Sequence, residues 1–208
     1  MARTTSRRSK SARAGRSTTT RSNSAGDAVV LLKRDHRTVE KLFREFESAD
    51  GGEQLAGHVC DLLMVHAQIE EEILYPAARE AFADDEEDSE LVYEAAVEHA
   101  TAKELIRKIQ GMSESDEEFK ATVKVLSEYI EHHVKEEEGE LFPKLKKAGL
   151  DLKDMGRQLS QRKMQLMRQM GLKEEQLGRR RAPTRMRASR SAHRGRSSVH
   201  APARSARH

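Results

Sequence analysis

Through the middle of the chain, apolar residues recur at alternating steps of three and four. The first run is Val29, Leu32, His36, Val39, Phe43 and Phe46, and the second is Leu55, Val59, Leu62, His66, Ile69/Glu70 and Ile73. Val92, Ala95, His99, Ala102, Ile106 and Ile109 form a third run, and Leu126, Ile130, His133, Glu137 and Leu141 a fourth. This period marks amphipathic helices, and it predicts four, over residues 27–49, 53–81, 87–111 and 115–141. Asp50-Gly51-Gly52, an acidic patch at 84–88, and Gly111 with Ser113 and Ser115 fall between them as breaks. Short connections between long helices make antiparallel neighbours. The expected fold is therefore all-α, an up-down-up-down antiparallel four-helix bundle. Pro76 and Pro143 lie at matching places and are expected to kink or end their helices. A fifth amphipathic stretch, about 151–170, presents Leu152, Met155, Leu159, Leu166, Met167 and Met170, and should pack outside the bundle or cap one end.

The flanks are different. Residues 1–25 hold seven Lys/Arg and no acid, and residues 179–208 hold ten Arg and no acid. That leaves 21 of the 38 basic residues to face all 35 acidic ones in between, a balance of −14 beneath a formal net charge of +3. Both flanks are rich in Ser, Thr, Ala and Arg and too poor in large apolar residues to offset the entropy of ordering, so they are expected to be disordered. The resulting division is a basic arm at 1–25, a bundle at 26–149, an additional helix at 150–178 and an Arg-rich tail at 179–208. Arms carrying +17 would bind nucleic acid without sequence preference and with steep salt dependence. They contain no Phe, Tyr or Trp on which bases could stack. Contact with the acidic body, or solubility alone, is the competing reading.

No apolar run approaches the ~20 residues that span a membrane, and no hydrophobic signal region opens the chain. The single cysteine, Cys60, rules out an internal disulfide and suits a reducing compartment. A cytoplasmic location is expected, at the nucleoid if the arms hold DNA. Cys60 itself reads as packing.

Within the helical runs one phrase is written twice: HAQIEEEILYP at 66–76 and HVKEEEGELFP at 133–143. An i to i+4 step returns to the same helix face, so His66 lies with Glu70 and His133 with Glu137. His36 on the first helix and His99 on the third complete a larger repeat of two hairpins, each contributing His … His-x-x-x-Glu. A lone histidine in an apolar stripe is more often a satisfied core residue. Four at equivalent depth, two beside a glutamate, point instead to a metal site. Two ionised carboxylates buried without partners would cost several kcal/mol each, and a pair of divalent metals would remove that cost. Imidazole and carboxylate without thiolate suit iron or manganese, and zinc less specifically. Neither the Glu-x-x-His pairs of carboxylate-rich bundles nor the H-E-x-x-H string of zinc proteases occurs.

Residues 27–170 resemble the hemerythrin-like domains of the HHE cation-binding family. The resemblance rests on DAVVLLKRDHRTVEKLF, HAQIEEEILYP, EAAVEHATAKELI and HHVKEEEGELFP, followed by the helix GLDLKDMGRQLSQRKMQL. It implies an oxo- or hydroxo-bridged pair of iron ions, with His36, His66, His99 and His133 as terminal ligands and Glu70 and Glu137 as bridges. Oxygen-carrying members have a fifth histidine one turn after the third-helix ligand, where this chain has Lys103. That departure shifts the expectation from oxygen carriage to sensing or handling of oxygen, nitric oxide, peroxide or iron itself. Turnover of peroxide or nitric oxide at the same site is the enzymatic alternative, and a passive body carried on DNA by the arms is the structural one.

Other side chains have two readings each. His132 is the alternative to His133, although it lies off the apolar stripe. His58 belongs either to a channel mouth or to the surface, and Tyr129 either to a ligand-binding group or to core packing. Glu40 is either a support for His36 or a solvated residue. Asp35 and Glu98 read as parts of the acidic surface.

Overall fold

In a computed structural model, residues 26–48 and 51–172 are described, and all regular structure among them is helical. The elements are α1 (Ala28–Ser48), α2 (Glu53–Ile69), a π-helical turn (Glu70–Leu74), α3 (Tyr75–Ala81), α4 (Glu86–Gln110), α5 (Phe119–Glu136), a second π-helical turn (Glu137–Leu141), α6 (Phe142–Lys147) and α7 (Leu152–Gln169). The two basic arms lie outside the described residues.

Local chemistry sets the starts of three helices. Asp27, Asp85 and Asp151 accept hydrogen bonds from the backbone N–H of Val30, Asp88 and Asp154 at 2.9, 3.0 and 2.9 Å. Such caps contribute about 1 kcal/mol each. On α4 the first turn carries Glu86, Glu87 and Asp88 and the last turn Arg107 and Lys108, matching the helix dipole at both ends. The fourth predicted helix begins later than its periodicity suggests, at Phe119. Asp116 accepts from the Ser113 N–H, and the Ser113 hydroxyl from the Ser115 N–H, holding those residues in turns.

Neither proline ends its helix. α2 runs through the first π turn into α3, and α5 through the second into α6, so the fourth helical rod reaches Lys147 rather than stopping at 141. A proline ring clashes with the carbonyl four residues before it. Here each proline follows a turn widened by one residue, and the chain stays helical without that contact. The widened turn also resets the buried face. After each π turn two adjacent residues, Leu74 with Tyr75 and Leu141 with Phe142, are buried, while Ile73 is only partly buried.

The buried apolar residues form two separate cores. One contains Leu32, Ile69, Leu74, Phe142, Leu145 and Leu159, and the other Val39, Phe43, Leu62, Ile106, Phe119 and Leu126. α1 and α4 pass from the first core to the second, whereas α2, and α5 continued by its π turn and α6, pass from the second to the first. Between the two cores lies a polar layer. α7 packs alongside α1 and α2, placing Met155, Leu159, Leu166 and Met167 in the first core. Cys60 is buried in the second core, where burial pushes its thiol up to about 12, in agreement with a packing role.

The contact of α7 with the start of α1 depends on Gly156. A Cβ there would lie 2.5 Å from the Gly26 carbonyl oxygen and 2.8 Å from the Ala28 nitrogen, both backbone atoms with little freedom to give way. Gly156→Ala should therefore destabilise the fold by about 1–3 kcal/mol. Gly57→Ala, in open space inside α2, should stabilise it by about 0.5–1 kcal/mol. Thermal melts of both variants check the seating of α7; a Gly156→Ala protein as stable as the parent would contradict it.

Candidate metal centre

The structure brings all six side chains of the two hairpins into the polar layer. His36, His66, Glu70, His99, His133 and Glu137 are each 6% exposed or less. They come from α1, α2, α4, α5 and the first residue of each π turn, so one apolar core closes the layer above and the other below.

The imidazoles face one another in pairs through Nε2, with His36 and His66 3.1 Å apart and His99 and His133 likewise 3.1 Å apart. The carboxylates lie between the pairs. Glu70 Oε2 is 3.1 Å from His66 Nε2 and 3.4 Å from His99 Nε2. Glu137 Oε2 is 3.4 Å from His36 Nε2 and 3.7 Å from His133 Nε2. Two groups of donor atoms result, one from His36, His66, Glu70 and Glu137 and the other from Glu70, His99 and His133.

A carboxylate stands on the far side of each ring, and in three of the four it accepts a hydrogen bond from the ring. His36 Nδ1–H donates to Glu138 at 2.9 Å, His99 Nδ1–H to Glu71 at 3.2 Å, and His133 Nδ1–H to Glu98 at 2.7 Å. His66 Nδ1 lies 3.9 Å from Asp35. A carboxylate only accepts, so in His36, His99 and His133 the proton sits on Nδ1 and the Nε2 lone pair points into the layer. The sequence reading of Asp35 and Glu98 as surface residues is corrected by this arrangement. Asp35 is 5% exposed and Glu98 only partly exposed, because their neighbours His36 and His99 turn this stretch of each helix inward.

The donor set fits a cation. Both oxygens of Glu70 and Oε2 of Glu137 are buried without a hydrogen-bond partner. Burial, reinforced by repulsion from Glu137, holds the Glu70 carboxyl well above its ordinary range. Burial also pushes His66 down to about 4, whereas His36 is raised because Glu137, Glu70 and Glu138 together outweigh its desolvation. Two lone pairs facing at 3.1 Å repel each other, as do the two buried carboxylates. A metal ion between them would satisfy both lone pairs and neutralise the carboxylates at once. Buried His and Glu groups able to hold a metal ion are thus present.

The remaining candidates separate cleanly. His132 is 63% exposed and faces Glu98 and Glu136, away from the buried layer. Glu40 is exposed and pairs with Arg44 at 2.8 Å. Tyr129 packs against the second core, and His58 stands on α2 outside the six-residue cluster. Lys103 does not enter the donor set; its Nζ donates to both oxygens of Glu71 at 2.6 Å.

Periodicity alone missed two aromatic neighbours. Tyr75 donates to Glu137 Oε1 at 3.0 Å, and its ring lies 5.2 Å from that of His99. Phe142 occupies the equivalent place in the second copy, stacked 5.9 Å from His36. These are the aromatic residues of the two aromatic-Pro steps, turned inward by the π turns. The aromatic-Pro step that both copies of the phrase share was the available signal.

The Hemerythrin HHE cation-binding domain model matches residues 27–145, and the chain belongs to that family. A protein of Nostoc sp. (strain PCC 7120 / SAG 25.82 / UTEX 2576) named DNA nickase is 32% identical over 115 residues. The match covers 54% of this chain and 31% of the relative, so the chain spans about a third of that protein's length. No solved structure matches the chain.

The outer carboxylates give the metal-free protein a defined pH response. The His99 hydrogen bond, with Lys103 beside it, holds Glu71 down to about 2. A depressed carboxyl contributes its full stability above its ordinary value of 4.5, and loses it as pH falls towards about 2. Glu71→Gln should therefore lower the melting temperature at neutral pH, with the gap narrowing on acidification below 4.5. A gap independent of pH, in melts of both metal-free proteins, would contradict the Glu71 contacts.

Proposed function

We propose that this chain is a non-haem di-iron protein that binds or senses a small oxidant, with oxygen, nitric oxide and peroxide as the candidate class, or buffers iron. His36, His66, His99 and His133 would be terminal ligands and Glu70 and Glu137 bridges. The observation that carries the reading is the pair of Nε2–Nε2 contacts facing each other across two buried carboxylates. Family membership supports metal binding, and imidazole with carboxylate suits iron or manganese more than zinc. The opposite passage of successive helices between the two cores supports an up-down-up-down bundle around the site.

Bound iron would supply two adjacent redox-capable centres with coordination positions left open by the protein. The chain itself does the rest. Glu138, Glu71 and Glu98 fix three of the imidazole rings, and Tyr75 holds one oxygen of Glu137. Beside the histidines lies a cavity of about 20 Å³ lined by residues including Val39, Leu63, Ile106 and Ile130. Such walls favour a small uncharged molecule and hold back bulk water. Lys103 lines the same cavity, tied to Glu71. Turnover of peroxide or nitric oxide would use this site as well.

Protein reconstituted with ferrous iron without oxygen should hold close to two irons per chain. Its visible absorption should change on adding oxygen or nitric oxide, and His66→Ala should lose most of that response. A fully folded protein that takes up no iron would contradict the reading.

A second reading, association with DNA, is supported by the +17 of the two arms and by the name of the Nostoc relative. Removing residues 1–25 and 179–208 should then abolish retardation of DNA in a gel at low salt, and unchanged retardation would contradict it.

A further inference from the structure

The four carboxylates on the far sides of the histidines are not balanced alike. Asp35 pairs with Lys163 at 2.5 Å, Glu71 with Lys103 at 2.6 Å, and Glu138 with Lys33 at 2.9 Å. In the fourth case, Glu98, the outer neighbour is not a lysine but His132, whose Nδ1 is 3.5 Å from Glu98 Oε1. The Nε2 of His132 lies 3.5 Å from Glu136, one turn further along the rod. Glu98, His132 and Glu136 each offer a ligand atom within 4.8 Å of the others, the separation that a metal ion bridges. Meanwhile Glu98 Oε2 accepts from His133 Nδ1, so one carboxylate joins this cluster to the buried site.

A narrow cleft leads inward at the same place. Glu94, Glu98, Glu136 and Glu137 line it between walls that include Leu91 and Leu141. Exposure falls along it, from open at Glu94, through half-buried at Glu98 and Glu136, to 1% at Glu137. At its inner end, Glu137 Oε2 is buried and has no hydrogen-bond partner. A cleft of one sign of charge between low-dielectric walls concentrates the opposite ion. Carboxylate and imidazole donors select a divalent transition metal.

The geometry points to a surface site for a divalent metal ion, formed by Glu98, His132 and Glu136, from which the cleft passes ions to the buried layer through Glu137. The passage rests on the di-metal reading above; the surface site does not. With its lysine position taken by an exposed histidine, Glu98 is the one outer carboxylate of the four that no lysine neutralises. The ion exchanges one Glu98 oxygen for Glu137 without crossing either apolar core.

The test uses the full chain, stripped of metal, and cobalt(II), whose absorption reports both uptake and ligand type. Wild type should bind three ions, two in the buried layer and one weaker. The double variant His132→Ala/Glu136→Gln, altered at residues outside both cores, should keep its helix content and bind only two. Its buried ions should enter about tenfold more slowly at limiting cobalt, the scale of local ion concentration in a charged cleft. Equal entry rates, or a wild type that stops at two ions, would overturn the inference and leave the di-metal reading standing. A wild type holding one ion that the double variant loses would overturn the di-metal reading and keep the surface site.

Discussion

Six ionisable side chains share one layer between two apolar cores, and that layer cannot hold its own charges. Transfer of a carboxylate from water into such surroundings costs several kcal/mol unless it is paired, and here two carboxylates are shared among four imidazoles. The Nε2 lone pairs face one another because the outer carboxylates hold the protons on the opposite side of three rings. A cation would resolve the conflict for all six groups together. The rest of the architecture keeps these groups converged and the surroundings dry.

The repeat shows how that is done. Each hairpin orients the other's first histidine through the residue after its glutamate: Glu71 reaches His99, and Glu138 reaches His36. Each also faces its own second histidine with the residue before the first: Asp35 faces His66, and Glu98 holds His133. The π turns begin at Glu70 and Glu137 and swing Tyr75 and Phe142 against the histidines. Lys163 extends the arrangement to α7, so the helix beyond the family match is joined to the site through Asp35. Where the two halves differ, the chemistry differs. Tyr75 brings a hydroxyl that Phe142 lacks, and Glu98 meets a histidine where its counterparts meet lysines.

Much of this was legible in the sequence for a physical reason. A core side chain must recur with the helix period, so the stripes located the helices and the inward faces of the four histidines. An i to i+4 pair shares a face, so His66 with Glu70 and His133 with Glu137 could be read directly. The stripe also favoured His133 over His132, and the structure places His132 at the surface. Two kinds of information were hidden. A widened turn breaks the period that finds helices, so the inward aim of Tyr75 and Phe142 was lost, and both prolines read as kinks or ends. Contacts between helices are invisible to any one period, so Asp35 and Glu98 looked like surface acids. The lysine partners of Glu71 and Glu138 could not be assigned for the same reason. Lys103 was read as a missing ligand, whereas it is the counter-charge of the carboxylate that orients His99.

The central claim is that two metal ions occupy the layer, one beside each imidazole pair. Crystals of the iron-loaded protein, measured on both sides of the iron absorption edge, locate those ions directly. The account predicts two anomalous peaks about 3.5–4 Å apart, one next to His36 and His66 and the other next to His99 and His133, with Glu70 and Glu137 between them. A single peak, or none within reach of the four histidines, would contradict it.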